Sequence, residues 1–274
     1  MTIQRTVFFV SDRTGITAET LGHSLITQFD GLNFRQVTLP FISSIDKAKA
    51  AVDRINHTAL EEGARPLVFS TMVDDGILAV LDEANALVLD FFATFIGPLE
   101  QELSLKSSHT AGKAHGVGNE AVYTARIDAM NFALANDDGV TTRNYDQADV
   151  VLIGVSRSGK TPTSLYLALQ FGIYAANYPL TEEELGQETL PKALLEHKDK
   201  LYGLSIDPAR LRQIRNERRP DSRYASEPQV RYELKEAEVL FQKYGVPFLN
   251  TTRSSIEEIA TTVLDQKGLS RRFY

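Results

Sequence analysis

The chain has no cysteine among its 274 residues. This absence excludes disulfide bonds, cysteine nucleophiles, cysteine-ligated zinc and iron–sulfur clusters. Long apolar runs are missing as well. No stretch approaches the roughly 20 residues that a membrane-spanning helix needs, and the apolar run Val7–Val10 is too short for the core of a signal peptide. A cytoplasmic location without a membrane partner is therefore expected.

A broad excess of positive charge is also missing. Lys and Arg number 29 against 36 Asp and Glu, which gives a formal net charge of −7. This balance argues against general attraction to nucleic acid or to anionic membranes, so any site for an anion has to be local. The composition, 43% hydrophobic and 24% charged, is that of a globular protein. At roughly 150 residues per domain, the length predicts one or two domains.

Strands and helices alternate in the first part of the chain. The apolar pattern predicts strands over residues 7–10, 34–41, 66–70 and 86–90, and helices over residues 17–29, 46–62 and 74–85. The first of these helices is predicted from Leu21, Leu25 and Phe29, which lie four apart. Because such alternation is typical of parallel βαβ crossovers, residues 1–103 are predicted to form a doubly wound parallel α/β domain.

A second α/β domain is predicted over residues 121–274. Residues 104–120, between the two domains, are rich in Gly, Ser and His and have no apolar period, which favours a linker or a functional loop. The predicted strands of the second domain cover residues 149–154, 173–180 and 201–207. Its predicted helices cover residues 121–135, 161–171, 207–217, 228–244 and 254–267.

A phosphate-loop pattern lies at the end of the first strand of this second domain. Gly154, Gly159, Lys160 and Thr161 match the spacing G-x-x-x-x-G-K-[ST]. Glycines let the backbone N–H groups turn inward toward a diphosphate, and the helix that follows contributes its positive end. The predicted nucleotide-binding residues are Gly154, Val155, Ser156, Arg157, Ser158, Gly159, Lys160 and Thr161.

Within this loop, two side chains have predicted chemical roles. Lys160 is predicted to be catalytic, as a positive charge on the terminal phosphate, and the Thr161 hydroxyl is predicted to be a ligand of Mg²⁺. The alternative is a glycine-rich strand-to-helix turn that binds nothing. The second domain is on this basis predicted to be a P-loop nucleotide-binding domain.

Two further features each have a functional and a structural interpretation. The turn over residues 11–19 either binds a second phosphate or only caps its helix, through Ser11, Asp12 or Thr17. The six arginines between Arg210 and Arg223 either recognise an anion or an acidic surface, or form a solvated helix face. Three members of this cluster, Arg212, Arg215 and Arg219, have helical spacings that would place them on one face.

Asp207 follows a predicted strand. An acidic residue there can hold Mg²⁺ or accept a proton from a hydroxyl nucleophile, and it can equally cap the helix that begins at Pro208. His109 and His115 lie in the predicted linker, where a metal pair is not expected because cysteines are absent and carboxylates are few. They are interpreted as solvated or as contacts to a substrate.

Four separated motifs together resemble one protein family. They are SDRTGITAE, GVSRSGKTPTSLYLALQFGIYAANYPL, IDPARLRQIRNERRPDSRYAS and the ending EEIA…GLSRRFY. Their order and sequence are similar to those of the phosphoenolpyruvate synthase regulatory proteins, also called pyruvate, water dikinase regulatory proteins. The likeness extends over nearly the whole chain.

This resemblance implies a bifunctional serine/threonine kinase and phosphorylase. Members of the family that this chain resembles use ADP as phosphoryl donor to a threonine of the dikinase. They reverse this step with inorganic phosphate as co-substrate and pyrophosphate as product. Mg²⁺ is the expected metal, and Asp207 is predicted to orient or deprotonate the acceptor threonine. The sister branch, which acts on pyruvate, phosphate dikinase, typically lacks the glycine that stands here at Gly159.

Several alternatives remain open from the sequence. The chain can instead be a small-molecule P-loop kinase or ATPase, the regulatory protein of the related pyruvate, phosphate dikinase, or a nucleotide sensor without catalysis. The expected partner is a protein substrate and not nucleic acid. Whether the chain forms a homo-oligomer is open, as are the roles of Asp12, His115 and the arginines over residues 210–223.

Overall fold

A computed structural model describes residues 4–110, 120–139 and 141–272 of the chain. The chain divides into two compact units, Met1–Gly116 and Val117–Tyr274, and each contains one four-stranded parallel sheet. The predicted α/β fold is therefore confirmed. The interpretation of residues 104–120 as a linker or functional loop stays a prediction, because residues 111–119 lie outside the described part.

The first unit alternates strand and helix four times. Its elements are β1 (Gln4–Ser11), α1 (Ile16–Ile26), β2 (Asn33–Leu39), α2 (Ile45–Glu62), β3 (Leu67–Thr71), α3 (Asp75–Leu81), β4 (Leu87–Asp90) and α4 (Phe91–Leu103). The strand order is β2-β1-β3-β4, with every pairing parallel. Alternate residues of β1 point to opposite faces. Phe8 and Val10 pack with α2 and α3, whereas Val7 and Phe9 pack with α1 and Phe91.

The second unit repeats this sheet order. Its elements are α5 (Glu120–Ala135), β5 (Val150–Gly154), α6 (Lys160–Phe171), β6 (Ala175–Pro179), α7 (Glu182–Gly186), α8 (Lys192–Leu195), β7 (Leu201–Ser205), α9 (Pro208–Arg218), α10 (Glu227–Tyr244), β8 (Phe248–Asn250) and α11 (Ile256–Lys267). The order is β6-β5-β7-β8, again parallel throughout. Val150 and Leu152 pack with α6 and α11, while Val151 and Ile153 pack with α9 and α10. Both faces of β5 are thus covered, as its continuous apolar sequence requires.

The first predicted helix is present as α1, but the apolar residues that indicated it do not form its buried face. Leu21 and Leu25 are exposed, and Phe29 lies beyond the end of α1 and is exposed as well. The buried residues of α1 are instead Ala18, Gly22 and Ile26. A Cβ on Gly22 would come within 2.7 Å of the Phe69 ring, so a glycine there lets the helix lie close against the aromatic side chains of the sheet.

Helix α4 and strand β8 have no counterpart among the predicted elements. Helix α4 contains Gly97 and Pro98, a pair that is typical of a turn. Strand β8 has only three residues, which is too short for a pattern of period two to be recognised. Among the described helices, none combines the length and the apolar character that crossing a bilayer would take.

Candidate phosphate-binding site

The predicted phosphate loop connects the end of β5 to the start of α6, as expected. Gly154 has φ 152°, and a Cβ on it would overlap the carbonyl oxygen of Leu204 on the neighbouring strand β7. Gly159 has φ 96° and is the N-cap of α6, without a side-chain hydrogen bond to the first helical turn. The two glycines are therefore required by the backbone, and they leave the N–H groups at the helix start open to an anion.

Lys160 is the first residue of α6 and only 4% exposed. Its Nζ donates a hydrogen bond of 2.9 Å to the carbonyl oxygen of Val155 in the same loop. Burial lowers the pKa of Lys160 to about 8, against the opposing influence of Asp138 and Asp137. In the described part of the chain this ammonium group forms no salt bridge. A bound phosphate oxygen would favour the charged form of this ammonium group and offset its positive charge.

Two buried hydroxyl groups at the loop have no hydrogen-bond partner among the described residues. They belong to Ser158, in the loop, and to Thr163, in the first turns of α6. The Ser158 hydroxyl lies 3.1 Å from the point that a Cβ on Gly154 would occupy. Because most buried polar groups are hydrogen-bonded, unmet hydroxyls at this loop agree with a site built for a polar ligand.

Arg215 is buried beneath the loop and holds it through hydrogen bonds. Its side chain is fully buried and donates to the carbonyl oxygen of Ser156 at 3.1 Å, to the carbonyl oxygen of Tyr224 at 3.1 Å and to the carboxylate of Glu233 at 2.7 Å. The guanidinium group also stacks on the Tyr224 ring, whose hydroxyl lies 2.9 Å from that of Ser156.

This position corrects the prediction that three arginines share one face of α9. Arg212 is exposed and pairs with Glu227 at 3.6 Å, and Arg219 is exposed at the end of the helix, whereas Arg215 points into the unit. The helical spacing of the three arginines could not distinguish the buried one from the two exposed ones. A buried arginine that pairs with a carboxylate can stand at the same spacing in the sequence as an exposed arginine.

A carboxylate that the sequence analysis missed lies beside the loop. The Thr161 hydroxyl donates a hydrogen bond of 2.9 Å to Asp137 Oδ1, which also accepts one from the Asn177 side-chain amide. Asp137 belongs to the sequence Asn-Asp-Asp-Gly between α5 and β5. That turn signal was the available hint, and it does not by itself distinguish a functional turn from a loop.

The residues at the loop fit Mg²⁺. The Thr161 hydroxyl offers an oxygen atom, which Mg²⁺ prefers, and the Asp137 carboxylate that accepts its proton adds negative charge beside it. This cation usually takes only one or two protein ligands together with phosphate and water. A cage built by the protein alone is not needed, and over the described residues no group of three or more His, Cys, Asp or Glu is arranged to hold a metal.

Asp207 lies at the start of α9, after β7. Its Oδ1 accepts hydrogen bonds from the N–H groups of Ala209 at 2.8 Å and Arg210 at 3.2 Å, which is the geometry of an N-cap. The side chain is exposed at an open cleft of about 380 Å³ that Lys235 and Asn250 also line. A catalytic role for Asp207 stays a prediction, and any such role would have to coexist with capping.

The turn after β1 lacks the predicted side-chain cap, and binding of a second phosphate there stays a prediction. Gly15, with φ 82°, is the N-cap of α1, and no side chain caps this helix, so capping by Ser11, Asp12 or Thr17 is wrong. The Ser11 hydroxyl accepts the N–H of Arg13 at 3.2 Å, and burial raises the pKa of Asp12.

Of the two histidines in the predicted linker, the structure describes His109. His109 is half-exposed, and its Nε2 lies 4.0 Å from the Glu100 carboxylate, which also accepts from Lys106. His115 lies outside the described residues.

Comparison with known proteins gives a consistent result. The family model described as Kinase/pyrophosphorylase matches residues 7–264. A protein of Halorhodospira halophila is 57% identical over 273 residues, covering 99% of this chain and all of the relative. A protein of Pseudomonas aeruginosa is 54% identical, with all of both chains covered, and one of Alcanivorax borkumensis is 55% identical over 98% of this chain and 99% of its own length. All three carry the name "Putative phosphoenolpyruvate synthase regulatory protein".

Proposed function

Because the chain belongs to the kinase/pyrophosphorylase family, we propose that it transfers phosphoryl groups to and from a protein through the loop of residues 154–161. The observation that carries this proposal is the buried ammonium of Lys160 at the open start of α6. Phosphoryl transfer depends on positioning and on charge neutralisation more than on covalent catalysis. A chain without cysteine can supply both.

The proposed protein substrate is phosphoenolpyruvate synthase. Support comes from relatives that are 54% and 57% identical over essentially the whole chain and that are named for regulating this enzyme. In the kinase direction, a threonine hydroxyl oxygen of the synthase attacks the β-phosphorus of ADP. The bond from that phosphorus to the bridging oxygen breaks, AMP leaves, and the hydroxyl gives up its proton.

The reverse direction uses the same exchange of phosphate oxygens. An oxygen of inorganic phosphate attacks the phosphorus of the phosphothreonine, the bond to the threonine oxygen breaks, and pyrophosphate is released. The threonine oxygen regains a proton. Because both directions move one phosphoryl group between oxygen atoms, a single set of phosphate-binding groups can serve both.

Each residue of the loop has a proposed task. The backbone N–H groups and the Lys160 ammonium bind the phosphates of the nucleotide, and the Thr161 hydroxyl would be a ligand of the metal ion. Mg²⁺, when bound, supplies positive charge to the phosphate oxygens. Asp207 is proposed to orient or deprotonate the acceptor threonine.

The test is phosphoryl transfer to purified phosphoenolpyruvate synthase. ADP labelled in its β-phosphate is expected to label a threonine of the synthase, and unlabelled phosphate is expected to release that label as pyrophosphate. If neither ADP nor ATP labels the synthase, the proposed function is overturned. Nucleotide turnover without labelled protein would then identify a small-molecule kinase or ATPase, and nucleotide binding without turnover would identify a sensor.

The proposed role of Asp207 has its own test. Asp207→Asn keeps a side chain that caps helices about as well as aspartate, but it removes the proton acceptor. Loss of labelling by a variant with unchanged thermal unfolding would support a base at this position. Normal labelling rates would leave Asp207 as the cap of α9 and assign the proton to another group.

A further inference from the structure

The turn that carries Asp137 is hydrogen-bonded to one residue of the sheet, Asn177. Asn177, fully buried in β6, donates its backbone N–H to the carbonyl oxygen of Asn136 at 3.1 Å, and its own carbonyl oxygen accepts the N–H of Gly139 at 3.1 Å. Its side-chain oxygen accepts the N–H of Asp138 at 3.0 Å, and its side-chain N–H₂ donates to Asp137. Four hydrogen bonds from one residue therefore fix where the Asp137 carboxylate lies.

The backbone of this turn is held in an uncommon conformation. Asp138 has φ 49° and Gly139 has φ 66°, and a left-handed conformation is unfavourable for a residue with a side chain. A Cβ on Gly139 would come within 2.9 Å of the Tyr178 ring. The turn therefore packs closely against β6. Asp137 is half-buried there, which restricts the rotamers that its carboxylate can adopt.

The contact with the loop sets the direction of the Thr161 proton. A carboxylate without a proton only accepts hydrogen bonds, so in the 2.9 Å contact Thr161 is the donor and Asp137 Oδ1 the acceptor. With its proton committed to Asp137, the hydroxyl oxygen of Thr161 keeps its lone pairs for another partner. A hydroxyl oriented in this way is a metal ligand and is not a donor to phosphate.

We infer that Asp137 is a positioning residue that holds the Thr161 hydroxyl as an oxygen ligand for the divalent cation of the bound nucleotide. This inference rests on the proposed function of the loop. It assigns the supporting carboxylate to the turn before β5, and not to Asp207 at the end of the neighbouring strand. Outer partners that orient a ligand are often worth about 10- to 100-fold in metal affinity.

The experiment measures metal binding and needs no turnover. The affinity of the protein–ADP complex for Mn²⁺ is determined by electron paramagnetic resonance of free Mn²⁺, and ADP binding in the presence of EDTA is measured by calorimetry. Asp137→Ala removes the acceptor of the Thr161 proton, which Asp137→Asn would keep in its amide oxygen. Asp137→Ala is expected to weaken Mn²⁺ binding about 10- to 100-fold. It is expected to change ADP binding in EDTA much less, because the backbone of the loop and Lys160 are retained.

Matched variants separate orientation from loss of charge. Asp265→Ala makes the same change at an exposed position of α11 and is expected to bind Mn²⁺ as the wild type does. Thr161→Val removes the donor of the same hydrogen bond. If Asp137 acts through Thr161, adding Asp137→Ala to Thr161→Val weakens Mn²⁺ binding much less than Asp137→Ala does in the wild-type protein. Losses that simply add would overturn the inference.

The remaining outcomes are also decisive. Wild-type protein that binds no ADP in either condition would overturn the proposed function, whereas ADP binding together with wild-type Mn²⁺ affinity in Asp137→Ala would overturn only the role of Asp137. A lowered unfolding temperature in Asp137→Ala moves the measurement to Asp137→Glu, which keeps the charge and shifts the carboxylate by one methylene group. Wild-type Mn²⁺ affinity in that variant would contradict a role that depends on position.

Discussion

Two turns of this molecule lead from a central strand into a helix, and they differ in what surrounds the helix start. Both helices are capped by a left-handed glycine without a side-chain hydrogen bond, Gly15 in the first unit and Gly159 in the second. The next residue is Ile16, 58% exposed, in one case and Lys160, 4% exposed, in the other. The open helix end is thus common to both turns, and the buried cation is not.

The comparison also extends to the support beneath each turn. The second turn accepts hydrogen bonds from the buried guanidinium group of Arg215 and has the Asp137 carboxylate beside it. The first turn is held by the backbone N–H groups of Phe41 and Ile42, and no described residue gives it a buried charged partner of this kind. An open helix N-terminus offers partial charge to an anion, but a phosphate site of useful affinity needs full charges and a fixed backbone as well. The first turn therefore has only the open helix N-terminus, whereas the second turn has the open helix N-terminus together with charged side chains that could hold a phosphate.

The largest expected effect tests Arg215 beneath the second turn. Arg215→Ala is expected to lower the free energy of unfolding by about 3–5 kcal/mol, because it leaves the Glu233 carboxylate buried without its partner. Arg212→Ala, which removes an exposed ion pair, is expected to cost about 1 kcal/mol or less. Urea unfolding of both variants is the measurement. Equal losses would contradict the distinction between the buried and the exposed arginine.

The next effect tests the cation. Lys160→Ala is expected to slow phosphoryl transfer from ADP about 10²- to 10³-fold, since one charged donor to the phosphates is lost. Arg13→Ala, in the first turn, is expected to leave the transfer rate unchanged. The rates are measured with labelled ADP and phosphoenolpyruvate synthase. A large loss in Arg13→Ala would show that the first turn also handles the nucleotide.

A smaller effect compares the glycines. Gly154→Ala places a Cβ against the backbone of β7, which cannot move aside, and is expected to destabilise by about 3 kcal/mol. Gly15→Ala brings a Cβ to 2.9 Å from a Thr38 methyl group, which can rotate away, so the left-handed backbone alone is expected to cost about 1 kcal/mol. Thermal unfolding of the two variants checks the order, and the reverse order would contradict it.

The smallest effect is a pH dependence that belongs to the second turn alone. Burial lowers the pKa of Lys160 to about 8 in the free protein, and a bound phosphate favours the charged ammonium. Binding therefore takes up a proton above about pH 8. ADP affinity is then expected to fall by at most about tenfold, or about 1.4 kcal/mol, per pH unit as the pH rises above 8.

Calorimetry of ADP binding between pH 7 and 9.5 measures this slope. Phosphate groups titrate near pH 6, so their own ionisation is complete over the upper part of the range. Lys160→Arg keeps its charge at every pH tested and is expected to give a flat profile above pH 8. A flat wild-type profile would contradict the lowered pKa of Lys160.

The sequence predicts the loop well and its surroundings poorly, for a physical reason. Gly154, Gly159, Lys160 and Thr161 are contiguous, and each residue type is dictated by local backbone geometry or by charge, so a single segment contains the signal. Asp137 lies 24 residues before Thr161 along the chain, and only the pairing of its turn with β6 brings the two together. Such a contact is a property of tertiary structure.

The same limit applies to the buried faces of helices. In α1 the leucines have the right spacing, yet Gly22 faces the sheet, because the aromatic side chains of the strands leave little room for a larger residue. In α9 the period of the arginines is regular, yet Arg215 is buried through Glu233, a residue on the next helix. Periodicity identifies the element, and the partner elements decide which face is buried.

The fastening of the Asp137 turn at Asn177 has a consequence for the solubility of the second unit. Strand β6 is an edge of its sheet, and the Asn136–Gly139 turn uses both the N–H and the C=O of Asn177 that would otherwise face outward. The opposite edge, β8, is only three residues long. Unpaired edge strands are templates for pairing with another chain, and short or covered edges prevent it. The turn that orients the metal ligand therefore also protects the protein from aggregation.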